Sequence, residues 1–107
     1  MFCTITTTTN DKAVAKSLCE YILKQKISPC VQIYNNVKSS FIWKNKVNNE
    51  YEYKIEIKTL ESNENEVIKA IERFHNYDIP EIVKMPLIIK SKNYKKWFLT
   101  SVNIKGD

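Results

Sequence analysis

Residues 50–58 alternate without a break. Tyr51, Tyr53, Ile55 and Ile57 stand between Glu50, Glu52, Lys54, Glu56 and Lys58. A side-chain period of two belongs to a β-strand with one apolar face. The run before it starts near Pro29 and carries Val31, Ile33, Val37, Phe41 and Trp43, and Lys44-Asn45 offers a tight turn between the two. Together they predict a β-hairpin over about residues 29–59. From Val47 to Thr59 its second strand spans about 44 Å. A chain of 107 residues folds to a radius of gyration near ~13 Å, about 35 Å across. Such a hairpin either overhangs its own domain or bends sharply. Its outer part carries Phe41, Trp43, Tyr51 and Tyr53, aromatic surface that favours burial, on a long edge that favours pairing. We therefore expect copies of the chain to associate. Asn35-Asn36 marks an expected bulge or kink within the first strand, and the alternative to association is a strand broken by bulges and folded back.

The remaining segments complete an alternating pattern. Residues 2–9 are rich in threonine and read as a strand. Asn10 and Asp11 offer an N-cap to a helix over about 11–25, whose stripe is Val14, Leu18, Tyr21 and Ile22. Ser62 is the expected cap of a second helix with Val67, Ile68, Ile71 and Phe74 on its buried side. A fourth strand is expected over 81–90, and a short third helix near 93–101 carries Tyr94, Trp97 and Phe98. The order βαββαβ plus a terminal helix is an α+β, ferredoxin-like arrangement forming one domain over 1–107. In that topology strands two and four are the sheet edges, where proline is tolerated; Pro29 and Pro86 fall in those two strands. With Gly106 the only glycine, asparagine must supply the left-handed turn positions.

Composition narrows the partners. The net charge is +5, yet Lys and Arg together number 17 and Arg73 is the only arginine. Arginine is the side chain suited to bidentate phosphate and guanine recognition, so dispersed lysines read as a solvated surface and no nucleic-acid partner is expected. No apolar run approaches the ~18 residues that cross a bilayer. The N-terminal run Met1-Phe2-Cys3-Thr4-Ile5 lacks the basic and cleavage features of a secretory signal. Cys3, Cys19 and Cys30 have no C-x-x-C spacing and make a poor disulfide framework, so reduced thiols in the cytoplasm are expected.

Four segments carry a resemblance. Pro29-Cys30-Val31-Gln32-Ile33 is similar to an A-A-C-V-N-I run. Ser40-Phe41-Ile42-Trp43-Lys44-Asn45-Lys46 is similar to S-x-Y-x-W-x-G-K. Glu52 with Ile57-Lys58-Thr59 is similar to E-x-x-L-x-I-K-T. Residues 75–82, His-Asn-Tyr-Asp-Ile-Pro-Glu-Ile, are similar to H-P-Y-D-V-P-E-I. Tyr94 and Trp97 match a terminal Y-L-x-W. In this order the chain resembles the CutA family of divalent-ion-tolerance proteins. The resemblance implies a ferredoxin-like subunit in a compact homotrimer, with long strands joined between subunits. It further implies a link to copper tolerance and divalent-metal binding, with no catalytic activity and no organic cofactor.

The chemistry that suits Cu2+ or another divalent cation is the thiol of Cys30, the imidazole of His75 and nearby carboxylates. The resemblance groups His75, Tyr77 and Glu81 in the loop after helix two, near a subunit boundary. It also exposes departures. A strand-one cysteine and a His-His pair proposed as ligands in some members correspond here to Thr7, Phe74 and His75, and Asn76 stands where proline is usual. Structural alternatives exist for each group: Cys30 as a small buried residue, His75 as the closure of helix two. A second functional reading is a PII-like trimer that binds a small anionic metabolite in a cleft between subunits. Trp43, Glu52, Lys58, Tyr77 and Glu81 would line that cleft, with Lys58 as the charge partner; otherwise Lys58 pairs across the sheet with a carboxylate such as Glu52.

Two other classes share the element order and are disfavoured. An RNA-binding sheet needs a basic-glycine-aromatic run on strand three, where this chain carries glutamates. A small phosphatase needs an arginine phosphate cradle and a glycine-rich loop near strand one, and neither is present.

Overall fold

The computed structural model describes residues 1–104. Its elements run β1 (Phe2–Thr9), α1 (Lys12–Lys24), β2 (Cys30–Trp43), β3 (Lys46–Leu60), a 3-10 turn (Glu61–Asn63), α2 (Glu64–Phe74), β4 (Val83–Leu87) and α3 (Lys92–Thr100). The strands form one antiparallel sheet in the order β2-β3-β1-β4. This is the expected ferredoxin-like βαββαβ order, and Pro86 does lie on an edge strand.

Local chemistry explains most element boundaries. The Asp11 carboxylate accepts from the N–H groups of Ala13 (2.8 Å) and Val14 (3.3 Å) at the start of α1, satisfying donors that a helix leaves unpaired. Ser62 does not cap α2. It sits in the 3-10 turn, and Asn63 holds the cap position. The Asn63 amide is buried and donates to the carbonyls of Ile27 (3.2 Å) and Asn103 (2.7 Å), so it ties two distant loops together. β4 is shorter than the stretch 81–90, because residues 81 and 82 still belong to the preceding loop.

Strand parity sorts two cores onto opposite faces of the sheet. Cys3 and Ile5 of β1 and Ile55 and Ile57 of β3 point toward Ala15, Leu18 and Ile22 of α1 and Val67, Ala70 and Ile71 of α2. Phe2 and Leu60 form a register pair of the other parity and meet Phe98 and Val102 at the far end of the opposite face. The Phe2 and Phe98 rings pack edge to face, 5.3 Å apart.

β1 ends at Thr9, opposite Tyr53, whereas β2 and β3 remain paired out to Trp43 and Lys46. Residues 37–43 and 46–52 therefore form a two-stranded arm about 24 Å long with no third strand. The register shift between Tyr34 and Val37, with Asn36 at φ 55°, lies at the point where that support stops. The bulge twists the strand but pairing resumes, so the hairpin overhangs and does not fold back. The molecule measures 45 × 27 × 20 Å with a radius of gyration of 14.6 Å, more drawn out than its length requires. At the tip Lys44 (φ 51°) and Asn45 (φ 64°) are both left-handed, the geometry of a type I′ turn.

Two outcomes follow. Left-handed backbone costs an ordinary L-residue ~1–2 kcal/mol, so replacing Lys44-Asn45 by Asn-Gly should raise unfolding free energy by about 1 kcal/mol in urea titration. Ile57 is fully buried between the helices and the sheet, and Ile57→Ala should cost about 2–5 kcal/mol in the same assay.

Candidate functional site

The loop between α2 and β4 is held by β1, through the Thr8 carbonyl and the Thr9 hydroxyl. His75 closes α2, its N–H donating to the Ile71 carbonyl at 2.9 Å. Its Nδ1 accepts the Tyr77 N–H (3.0 Å), which assigns the ring proton to Nε2, 2.8 Å from the Thr8 carbonyl oxygen. Both ring nitrogens are thus engaged within the chain. Asn76, at the position usually held by proline, accepts the Thr9 hydroxyl (2.6 Å) and donates to the Asn10 side chain (2.9 Å). The residue that departs from the family pattern is the one that anchors the loop. The His75 and Tyr77 rings lie 4.8 Å apart.

Anchored this way, the loop carries Tyr77 across to the base of the arm. Its hydroxyl donates to the Glu52 carboxylate at 2.7 Å. Glu52 is only 6% exposed, near the point where β1 ends. Burial and the adjacent Glu52 carboxylate both push the Tyr77 phenol far above its ordinary value, so it stays protonated and keeps donating. Between arm and loop lies a cleft of about 940 Å³, with Phe41 and Trp43 on the arm side and Tyr77 and Glu81 on the loop side.

Within one chain this cleft is lined by Trp43, Glu52, Tyr77 and Glu81, and it omits Lys58. Lys58 sits six positions from Glu52 on the same strand, roughly 20 Å away, with Cys30 and Thr4 as its register partners. A cross-sheet pair with Glu52 is therefore impossible. Among the residues that line the cleft no lysine or arginine appears, while Glu50, Glu52, Asp78 and Glu81 do. A small anion would meet carboxylates there, so the geometry gives the PII-like reading no support.

Cys30 and His75 do not converge either. Cys30 pairs in register with Lys58, and the strand segment facing His75 is at Thr8, opposite Lys54. That separates them by about 13 Å along β3 alone. Cys30 is half-buried beside the Tyr94 hydroxyl, whose phenol is raised first by burial and then by that thiol. Among the described residues no three His, Cys, Asp or Glu side chains stand together as a chelating group. Within one chain, then, the residues present do not build a closed metal site. Thr7, at the position of the strand-one cysteine, is a fully buried hydroxyl with no hydrogen-bond partner among the described residues.

Asn76, Thr8 and Thr9 were not identified from sequence as parts of this region. The Asn76 departure from proline was the available signal, since a polar residue in place of proline adds an amide that needs partners.

Comparison with known proteins then adds the following. The family model described as CutA1 divalent ion tolerance protein matches residues 3–101. A divalent-cation tolerance protein CutA of Escherichia coli is 26% identical over 95 residues, covering 89% of this chain and 85% of that protein. The structure of CutA1 from Oryza sativa superposes with a TM-score of 0.90 at 27% identity, over 95% of this chain and 94% of that one. A protein from Archaeoglobus fulgidus, described as the periplasmic divalent cation tolerance protein CutA, gives 0.90 at 26% identity, over 96% and 100%.

Removing the Tyr77 hydroxyl leaves Glu52 buried without its donor, so Tyr77→Phe should cost about 1–3 kcal/mol at neutral pH. Because the folded state raises the Tyr77 phenol above its ordinary value of 10.0, its stabilisation is complete below pH ~10 and is lost as pH rises toward the folded value. Urea titrations from pH 8 to 11 should therefore show a shallower alkaline decline in Tyr77→Phe than in wild type.

Proposed function

The chain belongs to the CutA1 divalent ion tolerance family, and from that premise we propose that it acts as a cytoplasmic homotrimer in the response to divalent metal ions, copper among them, and is not a catalyst. The observation that carries the assembly is the arm. In a single copy Ile42, Val47 and Tyr51 are each about two-thirds exposed or more, and Trp43 is about half exposed. An isolated two-stranded ribbon is marginally stable in water, and this one presents an apolar surface at its tip. Copies of the chain supply the missing neighbour. Three free cysteines and no described disulfide fit a reducing compartment.

Metal association in this reading is weak and lies near the subunit boundaries. The Cys30 thiol is a soft donor suited to copper, and Asp78 and Glu81 are exposed carboxylates suited to harder ions. His75 has both nitrogens committed, so it becomes a ligand only by giving up its bond to Thr8 or to Tyr77. Tight binding would need donors from more than one copy.

Light scattering on the purified protein should give three times the mass of one chain at micromolar concentration; a monomer overturns the assembly. Ile42→Asp leaves the single-chain core untouched and should shift the protein toward smaller species. Calorimetric titration with Cu(II) and Zn(II) against Cys30→Ser, His75→Ala and Glu81→Gln tests the metal reading. The expected result is a dissociation constant in the micromolar range or weaker, with at least one variant weakening it. No saturable heat with either ion rejects it.

A further inference from the structure

Lysines occur throughout the chain, but the excess of positive charge does not. Residues 1–81 carry eleven basic and eleven acidic side chains and are neutral overall. Residues 82–106 carry six lysines and neither aspartate nor glutamate. Of these lysines, Lys84 is paired with Glu61 and Glu64. Lys90, Lys92, Lys95 and Lys96 are exposed and make no ion pair among the described residues. Lys92, Lys95 and Lys96 stand three and four positions apart on α3, which puts them on one face of the helix. Phe98 fixes that helix to the sheet by its edge-to-face contact with Phe2, and the lysine face is left to solvent.

The matching acids lie at the other end of the sheet. Glu50, Asp78 and Glu81 are exposed at the base of the arm and also make no ion pair among the described residues. α3 packs where β1 begins, at Phe2, whereas the loop bearing Asp78 and Glu81 is held at Thr8, six residues along the strand. The two patches are therefore about 20 Å apart in one chain, beyond the ~8 Å over which exposed charges act at physiological salt. One chain cannot bring them together, and neighbouring copies can. The acidic patch adjoins the apolar arm that already calls for a neighbour, so one docking event covers both. A separate polyanion would meet the lysines but leave the acids unanswered, and arginine, the better phosphate ligand, is absent from α3. We propose that the lysine face of α3 docks on the acidic patch Glu50, Asp78 and Glu81 of a second copy of this chain. The proposal rests on the self-association put forward above and adds its polarity. Apolar surface on the arm supplies adhesion, while the opposed charges set which end of one copy meets which end of the next. Such a head-to-tail contact, repeated, closes into a ring.

The test uses the full-length chain with charges reversed in pairs: Glu50→Lys with Glu81→Lys, Lys92→Glu with Lys96→Glu, and all four together. All four positions are exposed, so circular dichroism should show the fold unchanged. Native mass spectrometry follows subunit exchange between isotope-labelled and unlabelled copies. Either pair alone turns an attraction into a repulsion, and exchange should quicken at least tenfold or the protein should fall to monomers. All four reversals restore opposite charges and should return exchange to within about threefold of wild type. Lys12→Glu with Lys69→Glu changes the net charge as much as the lysine pair does, at exposed sites on α1 and α2, and should leave exchange unaltered. Carbodiimide coupling of mixed labelled and unlabelled wild type should join Lys92 or Lys96 of one copy to Glu50 or Glu81 of another, which keeps the test decisive if the fourfold variant misfolds. A monomeric wild type overturns the association and this proposal with it. An oligomer indifferent to both pair reversals, equally sensitive to the control, or without that cross-link overturns this proposal alone.

Discussion

β1 stops at Thr9 while its neighbour β3 continues outward to Lys46, and most of what distinguishes this molecule depends on that mismatch. Up to Tyr53 the long hairpin is part of a four-stranded sheet with helices packed on it. Beyond Tyr53 it has only its own partner strand. The register shift at Asn35-Asn36 falls on this boundary, where a bulge can change the twist of the ribbon without breaking a continuous core. The same boundary leaves room beside the arm, and the loop after α2 crosses into it. The cleft is thus a geometric consequence of one strand being shorter than its neighbour.

What keeps the cleft open in a defined shape is a chain of hydrogen bonds that begins on β1. Thr8 and Thr9 hold His75 and Asn76; His75 orients the Tyr77 backbone; Tyr77 reaches Glu52. Each bond is short, from 2.6 to 3.0 Å, and most join residues far apart in the chain. A proline at position 76 would stiffen the loop but could not donate to Asn10. The asparagine exchanges backbone rigidity for two side-chain bonds, which is a different physical route to the same fixed loop. It also accounts for His75, whose ring is a structural post here, bonded on both sides.

The fold was legible in the sequence for reasons that are easy to state. The strict alternation of 50–58, the helical stripes and the proline positions each answer to a periodicity or to a missing N–H, and the sheet order followed from them. The Lys44-Asn45 turn and the Asn35-Asn36 bulge were legible for the same local reason. The site was legible only in part. Trp43, Glu52, Tyr77 and Glu81 do meet, but their order along the chain carries no distances, so Lys58 and Cys30 were grouped with residues far along the sheet from them. Register settles that question, and register is set by the whole sheet. Ser62 failed for a smaller reason: a 3-10 turn intervenes, and Asn63 spends its amide on long-range contacts.

Net charge offers a final case of a global quantity misleading about a local one. A lysine-rich chain invites an anionic ligand, and Lys58 was the natural candidate to hold it. Yet the lysines are distributed over solvated faces, where water and salt screen them, while the one recess at the arm collects carboxylates. A field inside a recess with low-dielectric walls is set by the few charges that line it, more than by the many that do not. The Glu52 carboxylate, buried and held by the Tyr77 hydroxyl, therefore weighs more in the local field than the +5 of the whole chain. The same carboxylate joins two parts of the structure, because the Tyr77 hydroxyl of the acidic loop reaches it at the base of the overhanging arm.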